Sequence, residues 1–130
     1  MYQDMKFVFT FIAISAICSG VAGQSDQFFN AIRNGNISGV SHLMDNRVEV
    51  SLIDDHSLYS KAQAVQKVNN WLTRTNPVSV QSLHGGESAD QKSFYQVAKL
   101  TAAGGTYRIF VYFEKSNSSA SIKKIQIDPF

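Results

Sequence analysis

Pro77 divides the sequence into two parts with different apolar periodicities. Before Pro77, apolar residues recur about every three to four positions, which is the spacing of amphipathic helices. After it, β-branched and aromatic residues dominate, as is typical of strands. Proline cannot continue a helix, and it disfavours helical geometry in the residue before it. The sequence therefore predicts mainly helices before Pro77 and strands after it.

Three helices are predicted before Pro77. The apolar faces of the first two carry Phe28, Phe29 and Ile32, then Ile37, Val40, Leu43 and Met44. The third begins at Ser60 and Gln63, which match the capping-box pattern in which each side chain bonds the backbone amide of the other. Its apolar stripe includes Trp71 and Leu72. These two side chains are therefore expected to anchor the third helix against a sheet.

Five strands are predicted, one before the third helix and four after it. Their ranges are 48–52, 78–83, 94–101, 106–114 and 122–127. Asp54 to Ser57 are predicted to form a turn, because Asp and Ser favour turns. Short connections between strands favour antiparallel neighbours. The predicted order is α-α-β-α-β-β-β-β, an α+β fold in which three helices from the N-terminal half pack on a strongly bent, mainly antiparallel sheet.

The N-terminal segment has the features of a secretory signal peptide. Lys6 precedes an apolar run over residues 7–17, and small residues follow it. The alternative, a membrane anchor, needs about 20 apolar residues, and this run is shorter. We expect residues 1–23 to be a signal peptide that is cleaved after Ala22 or Gly23. The protein is then exported to a periplasmic or extracellular location and keeps no membrane span.

Residues 24–130 are predicted to form a single domain, since this length suits one core. The formal net charge of +2 does not indicate a nucleic-acid partner. Cys18, the one cysteine of the chain, leaves with the predicted signal peptide, so no disulfide is expected. Lys123 and Lys124 are adjacent on a predicted strand, where successive side chains point to opposite faces. They are therefore not expected to form a basic patch.

Four segments of the sequence carry a resemblance to a known fold. They are Phe29–Ile32 with Gly35-Asn36, Tyr59–Gln63, Leu83–Gly85 and Tyr107–Ile109. With the order of elements, they resemble the cone-shaped fold of nuclear transport factor 2, scytalone dehydratase and ketosteroid isomerase. Among sequences, the chain is similar to an uncharacterised family of exported bacterial proteins with this fold. That resemblance implies the fold over nearly all of the mature chain, and it transfers no functional residue.

The densest polar cluster in the sequence is Asp54-Asp55-His56. A histidine next to carboxylates can act as a general base with an orienting acid, because histidine titrates near neutral pH. The alternative is a solvated turn, since aspartate favours turns for backbone reasons alone.

His84 and Arg108 are the other polar candidates. His84 follows an apolar strand, where it can face a ligand or lie hydrogen-bonded at the rim of the sheet. Arg108 lies in the strongest predicted strand, where it can bind an anionic ligand or pack its stem along the solvent face. His42, His56 and His84 lack the spacing of metal ligands, so neither a metal site nor a cofactor is expected.

Two functions from different classes are compatible with these residues. The first is a non-enzymatic binding or interaction module for a protein partner or a small apolar ligand. The second is a small enzyme of isomerase or dehydratase type, in which His84 or the Asp54-Asp55-His56 cluster supplies acid and base. Convergence of His84 with an aspartate inside the fold would favour the enzyme. An interior of apolar side chains alone would favour binding or plain packing.

The strongest predicted strand also suggests how the protein assembles. Alternate side chains point to opposite faces of a sheet. Those expected to meet the helices are Tyr107, Ile109, Val111 and Phe113. Arg108, Phe110 and Tyr112 then lie on the other face, and interfaces are enriched in these residue types. This face therefore predicts a homodimer. The alternative is that Pro129 and Phe130 at the C-terminus cover the rings within one subunit.

Overall fold

A computed structural model describes residues 23–117 and 119–130 of the chain. The predicted signal peptide lies outside these residues, apart from Gly23. Within the described residues, three helices, α1 to α3, span 23–34, Ile37–Leu43 and Lys61–Thr75. In the same part of the chain, six strands, β1 to β6, span Met44–Leu52, Asp55–Ser60, Pro77–Glu87, Ser93–Ala102, Gly105–Ser116 and Ser119–Pro129.

Helix α3 begins and ends as the sequence predicts. The Gln63 amide donates a hydrogen bond to Ser60 Oγ at 3.3 Å, and the Ser60 amide donates to Gln63 Oε1 at 3.4 Å. The capping box is therefore confirmed. At the other end, Asn76 adopts a left-handed conformation with φ of 53°, and its amide donates to the Leu72 carbonyl at 2.8 Å. Asparagine tolerates this conformation better than most residues, so the helix stops there.

The strands of the described residues form one sheet in the order β2-β1-β6-β5-β4-β3. Strands β1 and β6 run parallel, and every other neighbouring pair is antiparallel. Strands β2 and β3 therefore form the two edges of the sheet. The predicted fold class, α+β with three helices and a mainly antiparallel sheet, is confirmed.

The structure adds one strand to the predicted order. The turn expected over Asp54 to Ser57 is limited to Ile53 and Asp54, and the residues from Asp55 onward belong to β2. This strand pairs with β1 from Leu52–Asp55 back to Arg47–Ser60. Ile53 makes the tight turn with φ of 55°, a conformation that β-branched residues rarely adopt. Nothing in the preferences of isoleucine predicts a hairpin at this position.

The helices and one side of the sheet enclose an apolar core. This side is referred to below as the core face, and the opposite side as the outer face. The alternation predicted for β5 is present: Ile109, Val111 and Phe113 are fully buried on the core face. Trp71 and Leu72 of α3 are also buried in this core, as expected. The core face thus carries the packing that holds the fold together, and it leaves the outer face for other roles.

Candidate functional site

Three of the predicted site residues meet in a groove on the outer face. His84, Arg108 and Phe110 line this groove, which has a volume of about 470 Å³. Its other lining residues are Leu83, Val97, Lys124, Gln126 and Asp128. The groove crosses β3 to β6 and is referred to below as the outer groove.

A β-bulge in β3 brings Leu83 and His84 into the outer groove together. Ser82 pairs with Ala98 and His84 pairs with Val97, so Leu83 is an extra residue in β3. Successive side chains of a regular strand point to opposite faces, but a bulge re-aims a side chain. Leu83 is consequently 41% exposed on the groove side. The bulge therefore places an exposed apolar side chain next to a histidine.

The floor of the outer groove is apolar and aromatic. Val97 is 5% exposed although it lies outside the core cluster. Beside it, Tyr95 and Phe110 stack with their ring centroids 5.7 Å apart. His84 meets the Tyr95 ring edge-on at a centroid distance of 6.0 Å. These arrangements are favourable for aromatic pairs, so the outer face holds a small apolar cluster of its own.

The rim of the outer groove carries charges of both signs. Lys124 Nζ pairs with Glu49 Oε2 at 2.9 Å. Asp128 Oδ2 accepts a hydrogen bond from Gln126 Nε2 at 2.9 Å. Lys124 lowers the pKa of Glu49 through that hydrogen bond, and His56 adds to the effect. The rim is therefore polar and partly neutralised, around an apolar floor.

Phe130 contacts Arg108 rather than the aromatic cluster of the outer groove. Its ring centroid lies 5.0 Å from the guanidinium carbon of Arg108 and 4.9 Å from Lys99 Nζ. Among the described residues, these are the cation–π contacts of Phe130, and the ring itself is 54% exposed. The C-terminus thus covers one face of Arg108, whereas Phe110 stacks on Tyr95 instead.

The structure separates the residues of the predicted aspartate–histidine cluster. Successive residues of β2 point to opposite faces of the sheet. Asp55 accepts hydrogen bonds from the Tyr59 hydroxyl at 2.9 and 3.0 Å and pairs with Lys67 of α3 at 3.1 Å. His56 lies instead 3.3 Å from Glu49 Oε2. Asp55 is therefore held by α3, and His56 by β1.

The contacts of Asp55 make it a weak proton acceptor. The hydrogen bond from Tyr59 is the main cause that lowers the pKa of Asp55, and the hydrogen bond from Lys67 comes next. The same contacts raise the pKa of Tyr59 and of Lys67. A carboxylate with a lowered pKa stays ionised and takes up a proton less readily. This arrangement ties β2 to α3 and does not favour base catalysis at Asp55.

Asp54 and Asp55 line a second, larger cleft at one end of the domain. It lies between the C-terminal half of α3, the β1–β2 turn and the β4–β5 turn, and its volume is about 1020 Å³. Trp71 and Tyr107 line it, and their rings meet edge to face with centroids 5.1 Å apart. This space is referred to below as the end cleft. It shares no lining residue with the outer groove.

The residues of the enzyme hypothesis do not converge. His84 lies on edge strand β3 and lines the outer groove, whereas Asp54 and Asp55 lie at the start of the opposite edge strand, β2, and line the end cleft. Across the described part of the chain, Ser25 is the one buried polar residue, at 6% exposure. An interior that consists almost entirely of apolar side chains favours binding or plain packing over catalysis.

Two further kinds of site, a metal-binding cluster and a membrane-spanning helix, are not found among the described residues. No three of their His, Cys, Asp or Glu side chains are grouped so that they could hold a metal ion. No helix within residues 23–117 and 119–130 has the length and apolar character needed to cross a membrane.

Sequence reasoning missed Leu83 and Val97 in the lining of the outer groove, and it missed Tyr95, which stacks on Phe110 beside the groove. The alternation of β4 was a usable signal for two of them. Because Phe94 and Ala98 lie on the core face, Tyr95 and Val97 between them must lie on the outer face. Leu83 had no such signal, because its position depends on a bulge that the sequence does not reveal.

The helices and the sheet order define a nuclear transport factor 2-like fold. Among proteins with this fold, the chain belongs to the domain of unknown function family DUF4783, whose sequence model matches residues 25–128. The resemblance inferred from the sequence is thus confirmed, and no function is established for the family. Among curated proteins, no match to this sequence is found.

Solved structures share this fold at low sequence identity. A DUF4783 family protein from Bacteroides ovatus superposes with a TM-score of 0.75 at 18% identity, over 80% of this chain and 93% of that chain. The corresponding protein from Bacteroides uniformis gives 0.75 at 19%, over 81% and 95%. A putative dehydratase of the NTF2-like family from Streptomyces avermitilis gives 0.64 at 10%, over 89% and 97%. At these identities the likeness shows the fold alone.

Proposed function

We propose that this domain is a non-enzymatic protein-interaction module that self-associates as a homodimer through the outer face of its sheet. The observation that carries the proposal is the outer groove. It combines a buried apolar residue, Val97, an exposed leucine, Leu83, and Phe110, which stacks on the neighbouring Tyr95 ring.

The composition of the outer groove supports an interface. Interfaces are enriched in aromatic residues and arginine and depleted of lysine and glutamate at their centre. Exposed apolar patches with a polar rim are typical of protein-interaction sites. Here the apolar side chains lie at the centre, and Arg108, Lys124 and Asp128 lie around them. The groove therefore has the layout of a recognition surface.

The charges at the rim are compatible with a second copy of the chain as the partner. A two-fold dimer brings the same patch of both subunits together. A rim of a single sign would then repel itself, whereas this rim contains Arg108 and Lys124 as well as Asp128. Both signs allow opposite charges to meet across a two-fold axis.

Sedimentation velocity at micromolar concentration tests this proposal. The unmodified domain should sediment as a dimer. The variant Phe110→Glu with Tyr112→Lys should sediment as a monomer, because it introduces charge on the outer face without touching the core. A matched control is Gln66→Glu with Asn69→Lys, which makes the same kind of change at exposed positions of α3.

The control variant should remain a dimer. A monomeric unmodified domain, or a Phe110→Glu, Tyr112→Lys variant that dimerises as tightly as the control, would contradict the proposal. Retained far-UV circular dichroism in both variants shows that the domain is folded, so that loss of the dimer is not mistaken for loss of the fold.

We also propose that the domain acts after export from the cytoplasm. The cationic start, apolar run and small residues of the N-terminal segment support this location. Intact-mass spectrometry of protein purified from its native cells should find a chain that begins at Gly23 or Gln24. A mature mass that retains residues 7–17 would rule out cleavage.

A further inference from the structure

We infer that the end cleft is a binding site for a small anion with a flat apolar body, such as an aromatic carboxylate. The site is separate from the surface proposed for self-association, because the two share no lining residue. Its volume of about 1020 Å³ reaches the upper end of the range of about 300–1,000 Å³ typical of ligand pockets. The cleft is thus large enough for such a ligand and its bound water.

The apolar part of the end cleft fits a flat ring. Trp71 is 5% exposed and Tyr107 is half-buried, and their rings meet edge to face. Leu52 and Ala103 add apolar atoms to the lining. Ligand sites are predominantly apolar and aromatic, with a few polar groups that orient the ligand. An aromatic ring against Trp71 and Tyr107 would extend the cluster that these residues begin.

Ile53 is a second and independent indication of a ligand. Its φ of 55° lies in the left-handed region, which is strained for a β-branched side chain. The Ile53 amide donates a hydrogen bond to the Ile127 carbonyl at 3.1 Å, which holds the backbone, but the side chain is 46% exposed and lines the end cleft. Strained backbone occurs preferentially at ligand sites. A ligand that covers Ile53 would supply the missing apolar contact.

The charged groups of the end cleft are not equally available. Asp55 and Lys67 are paired with each other at 3.1 Å. Among the described residues, the one hydrogen bond from the Arg74 side chain is from its Nε to the Asn70 carbonyl, at 3.4 Å. Among the described residues, no ion pair involves its terminal nitrogens. Arg74 therefore has two parallel donors to offer to a ligand.

These donors favour an anion as the ligand. A guanidinium binds a carboxylate through two parallel hydrogen bonds, is weakly hydrated, and stacks on flat rings. Asn70 lies next to Arg74 in the lining and provides a neutral amide. Asp54 is the opposing acid in the lining, and it makes a clear prediction possible, because its removal should help an anion and hinder a cation.

Phenylpropionate and phenethylamine form a matched pair of probes, since they share a ring and differ in the sign of their charge. Trp71 is the one tryptophan of the chain, so its indole N–H resonance reports on the end cleft without assignment of other signals. Phenylpropionate should shift this resonance saturably, with affinity in roughly the millimolar range expected of so small a ligand. Phenethylamine should bind at least about tenfold more weakly.

Three variants then test the orientation of the anion. Arg74→Gln should weaken phenylpropionate binding about fivefold or more, because a charge-assisted pair is lost. Asp54→Asn should strengthen it about twofold, because an exposed like charge is removed. Arg47→Gln, which removes an exposed arginine of β1 outside the cleft, should leave it unchanged.

The inference is overturned if phenylpropionate does not shift Trp71, if phenethylamine shifts it equally well, or if Arg74→Gln behaves as Arg47→Gln does. A reversed pattern, with tighter binding in Arg74→Gln and weaker binding in Asp54→Asn, would also overturn it. The monomeric Phe110→Glu, Tyr112→Lys variant should bind phenylpropionate normally, so the result stands independently of the proposed dimer.

Discussion

The two faces of strand β5 differ in both burial and residue type. On the core face, Val111 and Phe113 are fully buried among the helices. On the outer face, Arg108 is exposed, and Phe110 and Tyr112 are only half-buried. One segment of backbone thus carries uniform apolar packing on one side and a mixed aromatic and charged surface on the other. Substitutions on the outer face can therefore be made without changing the core.

The same contrast holds for charge. On the outer face, Lys123 Nζ pairs with Asp45 Oδ2 at 2.6 Å and Lys124 Nζ pairs with Glu49 Oε2 at 2.9 Å. No charged side chain among the described residues is buried in the core. Ionic conditions should thus affect the ion pairs at the surface, which include the Asp55–Lys67 pair on the helix side, whereas loss of apolar volume should affect the core.

The largest expected effect compares two phenylalanines of β5. Phe113 is fully buried and stacks on Phe94 with centroids 4.7 Å apart. Phe113→Ala should lower the free energy of unfolding by about 3–5 kcal/mol, because it leaves a cavity in the core. Phe110→Ala, on the half-buried outer face, should lower it by about 1–2 kcal/mol. Urea denaturation followed by the fluorescence of Trp71 measures both values.

This comparison needs two protein concentrations, because dissociation of a dimer makes apparent stability depend on concentration. The loss in Phe110→Ala should vary with concentration if Phe110 lies in the proposed interface. The additional core loss in Phe113→Ala should not. Equal losses in the two variants at both concentrations would mean that the outer face is packed as tightly as the core, and the contrast between the faces would fail.

The parts of the fold that the sequence predicts are those specified by neighbours in the chain. The capping box of Ser60 and Gln63 depends on residues three apart, and the two faces of β5 depend on simple alternation. The β1–β2 hairpin was not predictable, because Ile53 is placed by a contact from elsewhere. Its amide donates to the Ile127 carbonyl of β6 at 3.1 Å. The local sequence does not contain this information, because isoleucine has no preference for turns.

Two features of the outer face were not predictable for a related reason, because a bulge alters the alternation of side chains along a strand. Lys123 and Lys124 were expected on opposite faces, and that expectation is wrong. Tyr112 pairs with Lys124 and Phe113 pairs with Ile122, so Lys123 is an extra residue in β6. Both lysines consequently reach acids of β1. The bulge that exposes Leu83 acts in the same way in β3, and neither bulge has a local sequence signal.

The smallest expected effect tests whether acid acts on the outer face. Hydrogen bonding by Lys123 lowers the pKa of Asp45, and hydrogen bonding by Lys124 lowers the pKa of Glu49. Each carboxylate therefore stabilises the fold above its unfolded-state pKa, about 3.9 for Asp and 4.3 for Glu. This stabilisation is lost as the pH falls through the lower folded-state pKa. The free energy of unfolding should thus decrease as the pH falls below about 5.

The double variant Asp45→Asn with Glu49→Gln isolates this contribution. At pH 7 it should be less stable than the unmodified domain by about 0.2–1 kcal/mol for each pair, since the paired side chains are 28–39% exposed and screened by solvent. The difference should shrink in acid as the unmodified carboxylates become protonated, and the remaining acid sensitivity should come from Asp55 and Asp90, whose pKa values are also lowered. Glu87→Gln, at an exposed position of β3, serves as the control and should leave the free energy of unfolding unchanged.

A difference that stays constant down to about pH 3, well below the unfolded-state pKa values, would show that these side chains stabilise β1 by packing rather than by charge.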